Sequence, residues 1–292
     1  MARYRLHHRF AAAVEAVATE EGVHETSVPH TVCVRHGSVT RRFGSRLWRA
    51  SLAIVARGNK KLALGRARYD LRPGHYTLTP LPLPVTSRIA EAPFACILIG
   101  LDPTTLSRVV AEMDERDEAP AAASRGFFTG QLDGGMLEAA VRLSQHFAAE
   151  EAGKVLGPGC IRELLFHVLR GPNGPAIRQF IRSGSEAHRI GHAVHRIESD
   201  LTEDLDIEAL AAAARLGRTA FFAQFKRVTS SSPLQYQKQL RLLEAQRLML
   251  EERTTAEDAA FRVGYQSPSQ FSREYAKMFG EPPLRNVTRL RG

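Results

Sequence analysis

The chain has little cysteine, little aromatic character and no long apolar run. Its 292 residues hold three cysteines, one tryptophan and 7% aromatic side chains. Cys33, Cys96 and Cys160 are odd in number and far apart, which gives no disulfide framework and fits a reducing cytoplasm. No uncharged stretch approaches the roughly 20 apolar residues that span a bilayer. The opening MARYRLHHRF is basic, and an Ala/Val-rich run follows at 11 to 18. Glu15 interrupts that run and no small-residue cleavage site comes after it, so no secretory signal is expected. The clusters Gly157–Gly159 and Gly171–Pro175 lack the strand-to-helix setting of a phosphate loop. Neither a nucleophile elbow nor paired carboxylates in a catalytic context are present. These absences argue against an enzyme and leave no cofactor expected.

What the chain does have is enough apolar material for two or three modest domains, and an excess of positive charge. Hydrophobic residues make up 43%, the net charge is +9 and the isoelectric point is near 9.9. A basic chain invites a nucleic-acid reading. The excess is spread out, however: from His188 onward there are 16 Lys/Arg against 13 Asp/Glu. Locally the separation is sharper. Glu198 to Glu208 holds six acids and no Lys or Arg, whereas residues 215 to 253 hold eight basic groups against three acids. Such polarity would turn the basic part toward phosphate.

Periodicity divides the chain. Residues 1 to about 20 read as an amphipathic helix with Leu6, Phe10, Val14 and Val17 on one face. From Thr26 the texture changes to seven β-type runs: Thr31–Arg35, Leu52–Arg57, Lys61–Leu64, Ala67–Leu71, Tyr76–Thr79, Val85–Ile89 and Phe94–Leu101. Gly58-Asn59, Gly65-Arg66 and Pro73-Gly74 punctuate them as turns, which predicts a small barrel or sandwich. Asp102-Pro103 then caps a helix, and Asp114 to Ser124 reads as a loop or linker. Three helical patterns follow, centred on Met136–Phe147, Ile161–Val168 and Ile177–Ile181, with the two glycine clusters separating them. His188 to Leu201 is another helix, apolar at Ile190, Val194 and Ile197.

The last hundred residues carry a repeat. Ala259, Ala260 and Val263 form a short helix that runs into a turn at Gly264-Tyr265. Ser267-Pro268-Ser269-Gln270 then opens a second helix with an S-x-x-Q capping box and proline at the first helical position. Phe271, Tyr275, Met278 and Phe279 give it one apolar face, opposite a polar edge. Fifty positions earlier, Phe221 falls on Phe271, Phe225 on Tyr275 and Pro233 on Pro283. Two copies of a helix, a tight turn and a capped helix predict two helix-turn-helix probes. Between them, Ser232-Pro233-Leu234-Gln235 starts a long helix to about Glu252. Some twenty residues at 1.5 Å each span roughly 30 Å, close to the roughly 34 Å between successive major-groove turns.

GYQSPSQFSREYAKMFGEPP, at 264 to 283, resembles the signature of the arabinose-regulator (AraC/XylS) family of bacterial transcription factors. The segment SLAIVARGNKKLALGRARYDLRPGHYTLTPLPLPVTSRI resembles the cupin-like sensing domain of one of its subgroups, over about residues 24 to 115. The resemblance implies a multidomain chain, with a small cupin-like β-barrel followed by an all-α region ending in two helix-turn-helix units joined by a long helix. The expected division is an N-terminal helix (1–25), a ligand-sensing β domain (26–117), a helical linker and dimerisation region (118–187) and the DNA-binding domain (188–292). It further implies double-stranded DNA, a small-molecule effector, RNA polymerase and a second copy of the chain as partners, a cytoplasmic location, and an activator. Effector, operator and the sign of regulation are not written in these residues.

The resemblance matches Pro268, Ser269, Gln270 and Arg273 to base-contacting positions of the second probe, and Thr219, Phe222 and Ala223 to those of the first. Arg273 can fork onto guanine and Gln270 can pair adenine. Phe222 and Ala223 depart from the long polar side chains common at their positions. They can meet a thymine methyl but make no side-chain hydrogen bonds, so shape reading is expected there. The alternative is that Phe222 packs inside while Phe221 turns outward. Arg218, Lys226, Arg227 and Lys277 are candidate phosphate contacts or solvated helix charges. His188, His192 and His195 have metal-ligand spacing on a helix, but nothing nearby in sequence completes a site, so a polar face and no metal are expected. His75 lacks the H-x-H partner of a metal-binding cupin. The competing readings are a metal-dependent cupin enzyme, or a redox or metal sensor, fused to a DNA reader.

Overall fold

The expected opening helix is α1 (Ala2–Val17), which buries Phe10 and Val14, with Ala18 just past its end. The structure is a computed structural model and describes residues 2–113, 125–182 and 184–291; the linker expected at Asp114 to Ser124 lies outside these residues. After α1 come β1 (Gly22–Glu25), β2 (Thr31–His36), β3 (Gly44–Trp48), β4 (Ser51–Leu64), β5 (Ala67–Leu71), β6 (His75–Thr79) and β7 (Leu83–Gly100). Helix α2 (Pro103–Glu112) follows, then β8 (Phe128–Gln131). Asp102 caps α2 as expected, its carboxylate accepting from the Thr104 and Thr105 amides. Among the described residues the strands form one antiparallel sheet, ordered β1-β2-β7-β4-β6-β8, with β3 on β7 and β5 on β4.

Two expected breaks are not breaks. The Gly58-Asn59 pair is no turn; β4 runs through it, with register shifts against β7 and Gly58 at φ +70°. A Cβ on Gly58 would stand 2.5 Å from the Pro93 carbonyl oxygen, so the backbones approach there as only glycine allows. The runs Val85–Ile89 and Phe94–Leu101 are likewise one strand, β7. The seven expected runs therefore become five strands, two of them long, and three more complete the eight seen among the described residues. Strands β1, β3 and β8 escape the pattern because each has four or five residues and half or more are not buried.

Side chains alternate along a strand, so long strands dress both faces of the sheet. On one face Cys33, Leu52, Ile54, Tyr76, Ile97 and Ile99 pack against α1, α2, α3 (Gly134–Ser144), α4 (Glu150–Arg170) and α5 (Gly174–Ile181). Helix α4 is continuous through Gly157–Gly159, which the sequence pattern places between helices. Gly157 lets α4 lie on the β1–β2 loop, where an added Cβ would meet Val28 Cγ1 at 2.7 Å. On the other face Val55, Leu62, Leu64, Leu83, Val85, Phe94 and Cys96 share a core with α6 (Glu186–Ser199), α7 (Ile207–Ala213), α8 (Arg218–Thr229) and the start of α9 (Pro233–Glu251). A third core joins the rest of α9 to α10 (Ala256–Arg262), α11 (Pro268–Phe279) and α12 (Pro283–Arg291). Among the described residues no helix is long and apolar enough to cross a membrane.

The two strand cysteines fall on opposite faces, Cys33 in the first core and Cys96 in the second. Burial pushes the thiols up to about 12 and about 11 respectively. Neither is a thiolate near neutral pH, so these two thiols are poor nucleophiles.

Candidate nucleic-acid interface

Both expected helix-turn-helix units are present as α7–α8 and α10–α11. Asp206 caps α7 by accepting from the Ala209 amide, and Thr255 caps α10 by accepting from that of Asp258. In the second unit the turn passes through Gly264 at φ +89°. There Arg241 of α9 donates to the carbonyls of Leu201, Thr202 and Glu203, fixing the acidic stretch behind the spacer. Ser267 Oγ accepts from the Gln270 amide, as a capping box requires. The reciprocal half is missing, because the Gln270 side chain turns along the helix and donates to Glu274 Oε1 at 3.4 Å.

Helix α11 presents the expected edge. Phe271 and Tyr275 are fully buried, while Ser269, Gln270, Arg273 and Lys277 are exposed and Pro268 is half-buried. Neither Arg273 nor Lys277 has an ion-pair partner among the described residues. On α8, Thr219 and Ala223 are exposed, but Phe222 is half-buried. Its ring stands edge-on to Phe221 at 6.3 Å, and the Arg218 guanidinium lies over it at 5.9 Å. Phe221 is wholly buried, so the swapped arrangement weighed from the sequence is not adopted. Of the expected phosphate contacts, Lys226 has no ion-pair partner among the described residues, Arg218 meets Glu208 at 2.6 Å and Arg227 meets Glu186 at 3.2 Å. Exposed pairs of this kind are worth roughly 0–1 kcal/mol, so exchanging a carboxylate for a phosphate costs little.

Pattern reading does not find the contacts that hold these units to the β-sheet domain. The Tyr236 hydroxyl, buried in α9, donates to the Pro82 carbonyl at 2.8 Å. The Gly126 amide donates to the Val228 carbonyl at 2.9 Å, Arg49 meets Glu198 at 3.3 Å and Arg42 meets Glu281 at 3.5 Å. Strand β3 lies against both α9 and α11. Beside it opens a cleft of about 790 Å³ lined by Phe43 to Leu47, the end of α6, the outer face of α9, and Arg289 and Leu290 of α12. The histidine stripe resolves into separate pairs: His188 Nε2 lies 3.0 Å from His192 Nε2, and His195 lies 3.7 Å from Glu198. Among the described residues no three metal-binding side chains converge.

Residues 28–176, just over half of the chain, match the model of the AraC-type transcriptional regulator N-terminus, and residues 210–287 match that of a helix-turn-helix domain. The chain belongs to the AraC-type transcriptional regulators. It is 32% identical over 105 residues to YobQ, an uncharacterized HTH-type transcriptional regulator of Bacillus subtilis (strain 168), a match covering 36% of this chain and 43% of YobQ. It is 29% identical over 90 residues to the lactose operon transcription activator of Staphylococcus xylosus, covering 31% and 32%. These matches thus span less than half of either relative. The crystal structure of unsaturated fatty acid-bound ToxT from Vibrio cholerae superposes with a TM-score of 0.57 at 10% identity, covering 87% of this chain and 94% of ToxT, a likeness of fold. In this AraC-type regulator the first helix-turn-helix unit shares its core with the sheet, and the second has a core of its own.

Proposed function

We propose that this regulator reads its operator chiefly through α11, with Ser269, Gln270 and Arg273 on base edges and Pro268 seated at the helix entrance. Thr219, Ala223 and the exposed part of Phe222 meet the groove by shape and methyl contact, while Arg218, Lys226, Arg227 and Lys277 hold phosphates. The observation that carries this reading is the α11 edge, exposed and, among the described residues, free of ion pairs at Arg273, opposite buried Phe271 and Tyr275. Helix α9, with 19 residues, gives a spacer of about 28 Å between the units. The division at 1–25, 26–117, 118–187 and 188–292 describes these roles. A homodimer through α4, whose Val155 and Leu156 are exposed, and contact with RNA polymerase belong to the same reading.

The effector's seat on this reading is the cleft beside β3, whose volume of about 790 Å³ lies within the ordinary range for small-molecule sites. It touches the sheet, the end of α6, the later part of α9 and α10 to α12, so a ligand that fits one arrangement of them better than another shifts DNA affinity. The fatty acid in ToxT makes apolar carboxylates the first class to try. A metal-dependent enzyme gains no support from His75, whose Nδ1 lies 3.1 Å from the Arg72 carbonyl in the β5–β6 turn. Selection of bound sequences from a random DNA pool, with and without candidate ligands, tests the reading. Two contact blocks about one helical turn apart are expected; a single short footprint overturns the two-probe arrangement.

A further inference from the structure

Beside the reader Gln270 stands a carboxylate fixed from two other elements. Glu274 lies one turn further along α11 and is 21% exposed. Its Oε1 accepts from Lys238 Nζ at 2.7 Å, reaching across from α9. Its Oε2 accepts from the Tyr265 hydroxyl at 2.7 Å, in the turn before α11, where the ring is buried. The Gln270 amide Nε2 makes the third contact, 3.4 Å from Oε1. Burial raises the Glu274 carboxyl, but the hydrogen bonds from Lys238, Tyr265 and Gln270 outweigh it and hold the pKa below the ordinary value. The group is therefore ionised at neutral pH and can only accept.

That constraint decides which end of the Gln270 amide points where. A carboxylate cannot donate, so the NH2 end of Gln270 faces Glu274 and its carbonyl faces away. Donation through the N–H trans to the carbonyl leaves free an edge made of the carbonyl oxygen and the cis N–H. An acceptor beside a donor matches N6–H and N7 of adenine. Guanine offers two acceptors, O6 and N7, and would need both N–H groups turned outward. At 3.4 Å the contact is weak in water, but it acts on an exposed amide that otherwise rotates freely. A charge-assisted bond of this kind strengthens once DNA excludes solvent.

We infer that Glu274 is a positioning residue for sequence reading: clamped by Lys238 and Tyr265, it holds the Gln270 amide in the orientation that accepts adenine and rejects guanine. The inference rests on Gln270 being a base reader, and the test separates the two claims. The alternative role for Glu274 is a brace between α11 and α9, which would affect every DNA sequence alike.

The full chain is titrated against its selected operator and against versions with each base at each contacted position. Gln270→Ala first identifies the position that Gln270 reads, where the wild type favours adenine. Glu274→Ala frees the amide. Glu274→Met keeps the length of the side chain and removes the acceptor. Both should lower the adenine-to-guanine ratio at that position by about tenfold and leave the position read by Arg273 unchanged. Lys238→Met, which loosens the clamp, should give a smaller change of the same sign. A uniform loss of affinity with the ratio intact in the Glu274 variants overturns the positioning role. So does a wild-type preference for guanine at that position. If Gln270→Ala changes no base preference, the base-reading assignment itself fails and the inference falls with it.

Discussion

Phe221→Ala and Phe271→Ala remove the same side chain from equivalent points of the two repeats, yet they should damage different parts of the molecule. Both rings are fully buried, so lost transfer energy and the cavity left behind cost about 3–5 kcal/mol in either case. Phe221 lies in a core continuous with Val55, Leu62 and Phe94 of the sheet, so its loss loosens the sheet and the first unit together. Phe271 lies in a core drawn only from residues 242 to 287, so its loss falls on the second unit, which can open by itself. The single tryptophan, Trp48 on β3, packs against the first of these cores and reports on it. With a guanidinium dependence of roughly 4 kcal/mol per molar, Phe221→Ala should lower the midpoint of the Trp48 transition by about 1 M. Phe271→Ala should leave that transition nearly in place while amide exchange in α10–α12 accelerates by about a hundredfold or more. Equal displacement of the Trp48 transition by both variants would refute the separation of the two cores.

Other expectations follow from single contacts. Arg273→Ala should cost about 1–3 kcal/mol on the operator and relax one base preference in gel-shift titrations; an equal loss on every sequence contradicts base reading. Lys226→Ala should weaken binding to all sequences and reduce the salt slope by about 1, and a changed base preference would rule out a phosphate contact. Tyr236→Phe strips the buried Pro82 carbonyl of its donor and should cost about 1–3 kcal/mol, seen as earlier melting; unaltered melting would mean the link carries no stability. Burial, and then the neighbouring His192, hold the His188 pKa below its ordinary value of 6.5. The unfolded chain then binds this proton at higher pH than the folded one, so stability is lost as pH falls through about 6.5 and below. His188→Gln should flatten that loss, and identical pH profiles for the two proteins would exclude it.

The second unit was legible in the sequence because everything that shapes it is local. Ser267, Pro268 and the Phe271–Tyr275 spacing determine a capped amphipathic helix within a dozen residues, and the helix forms as α11. The first unit was legible in outline only. Phe221 and Phe225 announce a buried face, but the core that it joins also takes in Val55, Leu62 and Phe94 of a sheet more than 120 residues earlier in the chain, and no spacing rule reaches that far. The sheet failed in a particular way. Glycine pairs mark turns when the chain reverses and bulges when two long strands cross closely, and Gly58-Asn59 and Gly65-Arg66 look alike until partners are known. Proline misled similarly at Pro158, which α4 carries inside. The capping box was half right: the backbone partner of Ser267 was fixed by position, but the Gln270 amide had a choice between its own cap and an i+4 carboxylate. The charged neighbour won.

The unequal attachment of the two units says where an effector can act. The first unit cannot move relative to the sheet without opening a shared core built from Val55, Leu62, Phe94, Phe221, Phe225 and Tyr236, at a cost of many kilocalories. The second unit is joined to that body by α9, by the contact of β3 with α11, by Arg241, which ties the Gly264 turn to the Leu201–Glu203 carbonyls, and by the exposed Arg42 guanidinium on the buried Glu281. The two units have separate apolar cores, and allosteric couplings of 5- to 150-fold need only about 1–3 kcal/mol. On the proposed reading, a ligand in the cleft beside β3 therefore has little leverage on the first probe and enough on the second. What it changes is the angle and spacing at which α11 meets the duplex relative to α8, and hence the affinity for sites whose two contact blocks keep a fixed separation.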